Sequence, residues 1–345
     1  MKKLLLSIAL FSLAVWADGP YYVNTSLGSD ANACTASGAS ACATLSGAVG
    51  KLAKPITSST TIHVAGTAAD TTNVANLSGH STTNSNWIII QMDTRNPTGI
   101  YSASYYRIQS SAGGQTLITV GDNYVKIIGL QISFQDAGTG VLINTTGTTD
   151  IQVADCIIRN HYVSGSGGFG IADPHTGTTI RAWNNIIYWD GTAGGAQYGI
   201  RFLNTSGSTN YAYNNTIVGF AEGIHKYGTT TVINNLFSGN TADIGNGPAT
   251  DTYNATNNTS AAGLRTVGGG GTGNRFSQTF TFAGAAPDYL LSASDAGAKG
   301  YGMTNPGSGL FSDDILATAR TAPWDIGAHQ VSTSASARRR ANVIQ

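Results

Sequence analysis

Three asparagine pairs constrain this chain more than any other feature. Asn184-Asn185, Asn214-Asn215 and Asn234-Asn235 each separate two short runs of apolar and β-favouring residues. One variable position after each pair comes a large apolar residue: Ile187, Ile217 and Phe237. The pairs recur after 30 and then 20 positions. A unit of this size that holds short strands and no helical period predicts a β-solenoid, in which each coil buries its inner face only against its neighbours.

Aligning the chain on the second asparagine exposes the columns of that solenoid. Leu130 and Cys156 take the anchor position upstream of Asn185, Asn215 and Asn235. Two residues later come Ile132, Ile158, Ile187, Ile217 and Phe237; three residues earlier come Ile127, Val153, Ala182, Ala212 and Val232. Side chains alternate across a strand, so these apolar columns point inward. The anchor marks an inward corner, where stacked amides can pass hydrogen bonds from coil to coil. A third strand follows a glycine-rich loop, with Val141, Ile171, Ile200, Ile224 and Ile244 as its inward stack. Each coil therefore carries three short strands joined by Gly, Asn, Thr and Ser turns.

Bulk properties fit an exported chain. Only 10% of the 345 residues are charged and the net charge is zero, which argues against nucleic acid as a partner, while 41% hydrophobic residues exclude a disordered chain. Lys2 and Lys3 followed by the apolar run Leu4 to Trp16 read as a signal peptide over residues 1–17. No membrane span is expected once it is removed. Cys34 and Cys42 lie eight apart in a small-residue loop and are read as a disulfide; Cys156 is read as an inert inward packing residue. The expected division is an N-terminal strand and cap over 18–60, coils over 61–260, a C-terminal coil that caps the open end over 261–330, and a disordered basic tail over 331–345.

The ends of the chain carry a resemblance. Tyr21-Tyr22-Val23, the Gly28-Ser29-Asp30 turn and Ala43-Thr44-Leu45 resemble the start of the right-handed parallel β-helix proteins, a group that includes pectate-lyase-like enzymes. Trp324-Asp325-Ile326-Gly327-Ala328 is similar to the "DIGA" segment that closes many of them, although His329-Gln330 stands where an aromatic residue and Glu usually follow. The resemblance implies an all-β, right-handed parallel β-helix that is secreted and acts on or binds an extracellular polysaccharide or surface glycan. It also implies that any active groove follows the Gly-Ile strand.

On that strand the outward column reads Leu142, Ala172, Arg201, His225 and Gly245, so Arg201 and His225 are expected as neighbours one coil apart. Nearby loops bring His161, Tyr162, Trp189, Asp190, Tyr198 and Glu222, and the following turn carries Asp173, His175, Lys226 and Tyr227. Two chemistries stay open. In β-elimination on a uronic-acid polymer, Arg201 or Lys226 neutralises the carboxylate, His225 is the base and Tyr198 or Tyr227 the acid. In hydrolysis, the carboxylates come from Asp173, Asp190 and Glu222. Calcium is the one cofactor left open, although no tight acidic cluster offers its roughly six to eight oxygen ligands. The bland alternative is a solvated strand face with no chemistry. A second patch, Trp183 and Tyr213 beside Arg181 and Tyr211, is either an exposed shelf for sugar rings or a stripe covered by another segment. Beside the enzyme stand a glycan-binding adhesin or phage attachment protein, and a structural solenoid.

Overall fold

The computed structural model describes residues 19–331 apart from 72–73, 111, 145, 148–149, 162–166, 192–196, 204–206, 246–248 and 260–270. The proposed leader, Tyr162 and the tail beyond Val331 lie outside the described residues. The chain is a parallel β-helix. Among the described residues every strand-to-strand ladder is parallel, in three sheets of nine, eight and seven strands. One coil illustrates the path. Thr179–Trp183 lies in the first sheet, Ile186–Trp189 in the second and Gln197–Phe202 in the third; the next coil restarts at Thr209–Tyr213.

The registers pair the columns residue for residue. Val153 faces Ala182 and Ala182 faces Ala212; Ile158 faces Ile187; Ile171 faces Ile200. All are fully buried, and with their equivalents they form one continuous core. A parallel coil gives this result directly: a residue repeated one turn later lands about 4.8 Å away with its side chain on the same face.

The asparagine pairs build the corner between the first two sheets. Asn184, Asn214 and Asn234 adopt left-handed backbone at φ of 54°, 49° and 60°, and Asp155 and Gly129 hold the same conformation in earlier coils. Asparagine and glycine tolerate this region where branched residues do not. The second asparagine of each pair turns inward. Asn185 donates from Nδ2 to Asn215 Oδ1 at 2.9 Å, and Asn215 donates likewise to Asn235 at 2.9 Å. Each Oδ1 also accepts the backbone N–H of the coil before. The ladder runs further than the pairs suggest, through Asn254 to Asn274, where single asparagines stand.

At the start, Asp30 accepts from the backbone of Ala43 and Thr44, and Thr44 caps the short helix Leu45–Val49 that plugs the first coil. Cys34 and Cys42 form a disulfide beside it. Cys156 is fully buried and its thiol is pushed up to about 12 by burial, which keeps it unreactive.

The C-terminal segment differs from the expected end cap. Arg275 adds a last bridge to Ala255, but the chain then runs back along the flank of the helix. Leu290 packs against Gly99, Phe311 against Trp183, and the Asp325 and Gly327 carbonyls accept from Asn214 Nδ2. The reason is the first asparagine of each pair. Its left-handed backbone points an amide outward, and a buried amide needs partners. The returning segment supplies them, with Asp313 O on Asn184 and Met303 O on Asn234.

Asp155 occupies this corner where later coils have asparagine. It accepts from Asn184 and faces Arg95 at 3.0 Å, yet burial outweighs the cation and pushes its carboxyl up to about 7. A raised folded-state pKa contributes stability below the unfolded value, near 4, that is lost as pH rises through 7. Asp155→Asn should therefore exceed the parent in stability at pH 8, by about 2–4 kcal/mol relative to their difference near pH 4. Urea unfolding at the two pH values measures it; parallel pH profiles for the two proteins would refute the assignment.

Candidate functional site

The outer face of the third sheet gathers four of the expected residues. Tyr198 pairs with Glu222 and Arg201 with His225 on adjacent strands. The His225 ring stacks on Tyr198 at 4.4 Å and meets Tyr227 edge-on at 5.3 Å. Its Nδ1 lies 2.6 Å from Glu222 Oε2. A carboxylate accepts, so the ring proton belongs on Nδ1 and Nε2 is the basic nitrogen. Gly245 makes room for this pair, since a Cβ there would collide with the Glu222 carboxylate.

Arg201 lies over the Phe169 ring at 4.5 Å and over the Tyr198 ring at 6.0 Å. It forms no ion pair among the described residues, and its Nε is buried without a hydrogen-bond partner. Burial lowers its pKa, opposed by Tyr198 and Tyr227, which leaves a cation held on aromatic faces. Burial, then Glu222, raises the Tyr198 pKa, so this phenol keeps its proton at neutral pH. Phe169 was not among the expected residues. Strict alternation would turn it inward with Ile171; the glycines at 170, 199 and 223 themselves face the core and shift the phase, so Phe169, Tyr198 and Glu222 form a second outward column.

Other candidates go elsewhere. Lys226 is not on an exposed turn: it continues the inward alternation of Glu222–Lys226, is fully buried and interacts electrostatically with Asp251. Burial raises Asp251 to about 6 despite that lysine. Asp173 is likewise inward and fully buried; it holds its own turn, accepting from Thr178 Oγ1 and from the His175 backbone at 3.0 Å. Asp190 leaves the strand Ile186–Trp189 on the second sheet, where it meets His161 at 2.9 Å. The aromatic shelf is not exposed. Trp183 and Tyr213 are 4% and 6% accessible because Phe311 and Trp324 cover them, and Arg181 pairs with Asp150 while leaning on Tyr211. Returning chain covers these rings because the aromatic stripe lies beside the outward asparagine amides it binds.

Among the described residues no group of three or more His, Cys, Asp or Glu converges as a metal site, and no helix is long and apolar enough to cross a membrane. No family model and no curated protein matches this sequence. Among solved structures, the crystal structure of pectate lyase Pel9A is similar to it over 91% of this chain and 90% of that one, at 14% identity and a TM-score of 0.40. A likeness that loose carries no site residue across; the parallel registers themselves define the fold.

Proposed function

We propose that this chain is a secreted β-helix protein that binds an anionic extracellular polysaccharide across the third sheet and cleaves it by β-elimination. One observation carries the reading: an arginine without a carboxylate partner sits one strand from a histidine whose Nδ1 is held by glutamate. In the elimination, Arg201 pairs with the uronate carboxylate and so acidifies the neighbouring C5–H. His225 Nε2 takes that proton, and Glu222 stabilises the imidazolium that forms. The electron pair moves into the C4–C5 double bond, the C4–O bond breaks, and Tyr198 or Tyr227 protonates the departing oxygen. The disulfide and the leader both suit an oxidising compartment.

The test is a panel of uronic-acid polymers followed by the ultraviolet absorbance of the unsaturated uronide and by reducing ends. Both signals should appear, and His225→Ala should lower the rate roughly 10²–10⁴-fold. Reducing ends without the absorbance would replace elimination by hydrolysis. A second reading, glycan binding without cleavage, draws on the burial of His225 between Tyr198 and Tyr227, with 9% of its side chain accessible. Silence in both assays with retained binding would favour it.

A further inference from the structure

The second sheet carries another feature that the elimination chemistry does not use. Where the strand Ile186–Trp189 meets the returning C-terminal segment, a cleft of about 460 Å³ opens between Arg159, Tyr188 and Asp190 on one side and Pro287 and Tyr289 on the other. Tyr188, Trp189 and Tyr289 contribute three aromatic rings to its walls. Tyr289 leans over Tyr188 at 5.3 Å, and the Arg159 guanidinium sits 4.3 Å from the Tyr101 ring. Two of its polar side chains, Arg159 and Tyr188, are incompletely matched within the protein. Arg159 uses Nε on Ser133 at 3.1 Å, while its Nη1 stands 3.9 Å from Asp190, beyond hydrogen-bond range. The Tyr188 hydroxyl is buried and has no hydrogen-bond partner. A buried hydroxyl left in this state is unfavourable unless something supplies the missing bond.

We propose that this cleft is a second carbohydrate subsite, which takes a neutral pyranose unit of a polysaccharide. Aromatic faces pack against the C–H face of a sugar ring, and a few convergent polar groups fix its hydroxyls. A carboxylate accepts from two adjacent hydroxyls and a guanidinium donates to others, which suits Asp190 and Arg159. Charge selects a neutral sugar over a uronate. Arg159 and Asp190 bring one charge of each sign, so an added carboxylate would gain the first and oppose the second. The third-sheet site differs, because its arginine has no carboxylate partner. The inference stands whether or not that site is catalytic, since it uses other residues on another sheet.

Electrophoresis of the full chain through gels containing hydroxyethylcellulose, galactomannan or xylan, with polygalacturonate as the anionic comparison, tests this. At least one neutral polymer should retard the protein. Tyr188→Phe should weaken that retardation about 5–10-fold, the loss of one hydrogen bond, while leaving thermal stability unchanged or higher because an unpartnered hydroxyl is gone. Tyr289→Ala should abolish it, and Arg201→Ala should leave it intact. The proposal is overturned if no neutral polymer retards the chain. It is overturned equally if retardation survives both tyrosine variants, or disappears in Arg201→Ala.

Discussion

Asn215→Ala is expected to lower the free energy of unfolding by about 3–5 kcal/mol. The side chain is fully buried and makes four hydrogen bonds. Oδ1 accepts the backbone N–H and Nδ2 of Asn185, and Nδ2 donates to Ala182 O at 3.0 Å and to Asn235 Oδ1. Alanine strands the Asn185 backbone donor in a dry corner and leaves a void beside it. Asn185 Nδ2 keeps Val153 O and Asn235 Oδ1 keeps the residue-215 N–H, which is why the loss is nearer one orphaned donor plus a void than four broken bonds. Asn274, at the partly buried end of the ladder, should cost under about 1 kcal/mol when replaced, because water can reach its former partners. Urea unfolding of the two variants decides. Equal losses would mean that the amide column adds packing volume and no hydrogen-bond continuity.

Arg320→Ala should cost a comparable amount, about 3–5 kcal/mol, and should act on one segment first. The guanidinium is almost completely buried, and burial pushes its pKa down to about 10, so it stays charged at neutral pH. Nη2 donates to Asn184 Oδ1 at 2.8 Å and to the Gly327 and Ala328 carbonyls at 3.0 Å; Nε donates to Asp313 O at 3.1 Å. It thus joins three stretches of the returning chain to the asparagine corner, with the carboxylates of Asp314 and Asp325 close enough to stabilise it. Without it, those carboxylates and carbonyls lose their cation in a buried setting. The segment carrying Phe311 and Trp324 should loosen, uncover Trp183 and Tyr213, and become sensitive to protease around Met303 and Leu310 before the coils unfold. Intrinsic tryptophan emission should move to longer wavelength. Unchanged emission and protease resistance would show that the apolar contacts alone hold the segment down.

Fold and candidate site were legible in the sequence to different depths. The coils were readable because a parallel helix stacks each residue on its counterpart one turn away, so columns of Ile, Val and Asn survive as a spacing pattern. That logic also placed Arg201 beside His225, whereas Tyr198 and Glu222, expected in loops near the groove, turn out to pair within the strands. It failed for Asp173 and Lys226, where alternation continues through the strand end and carries a charged side chain inward in place of an exposed turn. Single asparagines at 254 and 274 carry no such signature, because their coils lack the pair that marks the others.

Local alternation and one-coil periodicity set the repeating interior: three strands per turn, an apolar core and an amide corner. The flank has no such local source. Residues 275–331 have no repeat to align, and they are held by backbone carbonyls meeting Asn184, Asn214 and Asn234 and by one buried arginine. Such contacts join positions 69 to 136 residues apart without leaving a pattern in either stretch. They turned an aromatic stripe that could have faced sugar into core, and they built a cleft against the second sheet.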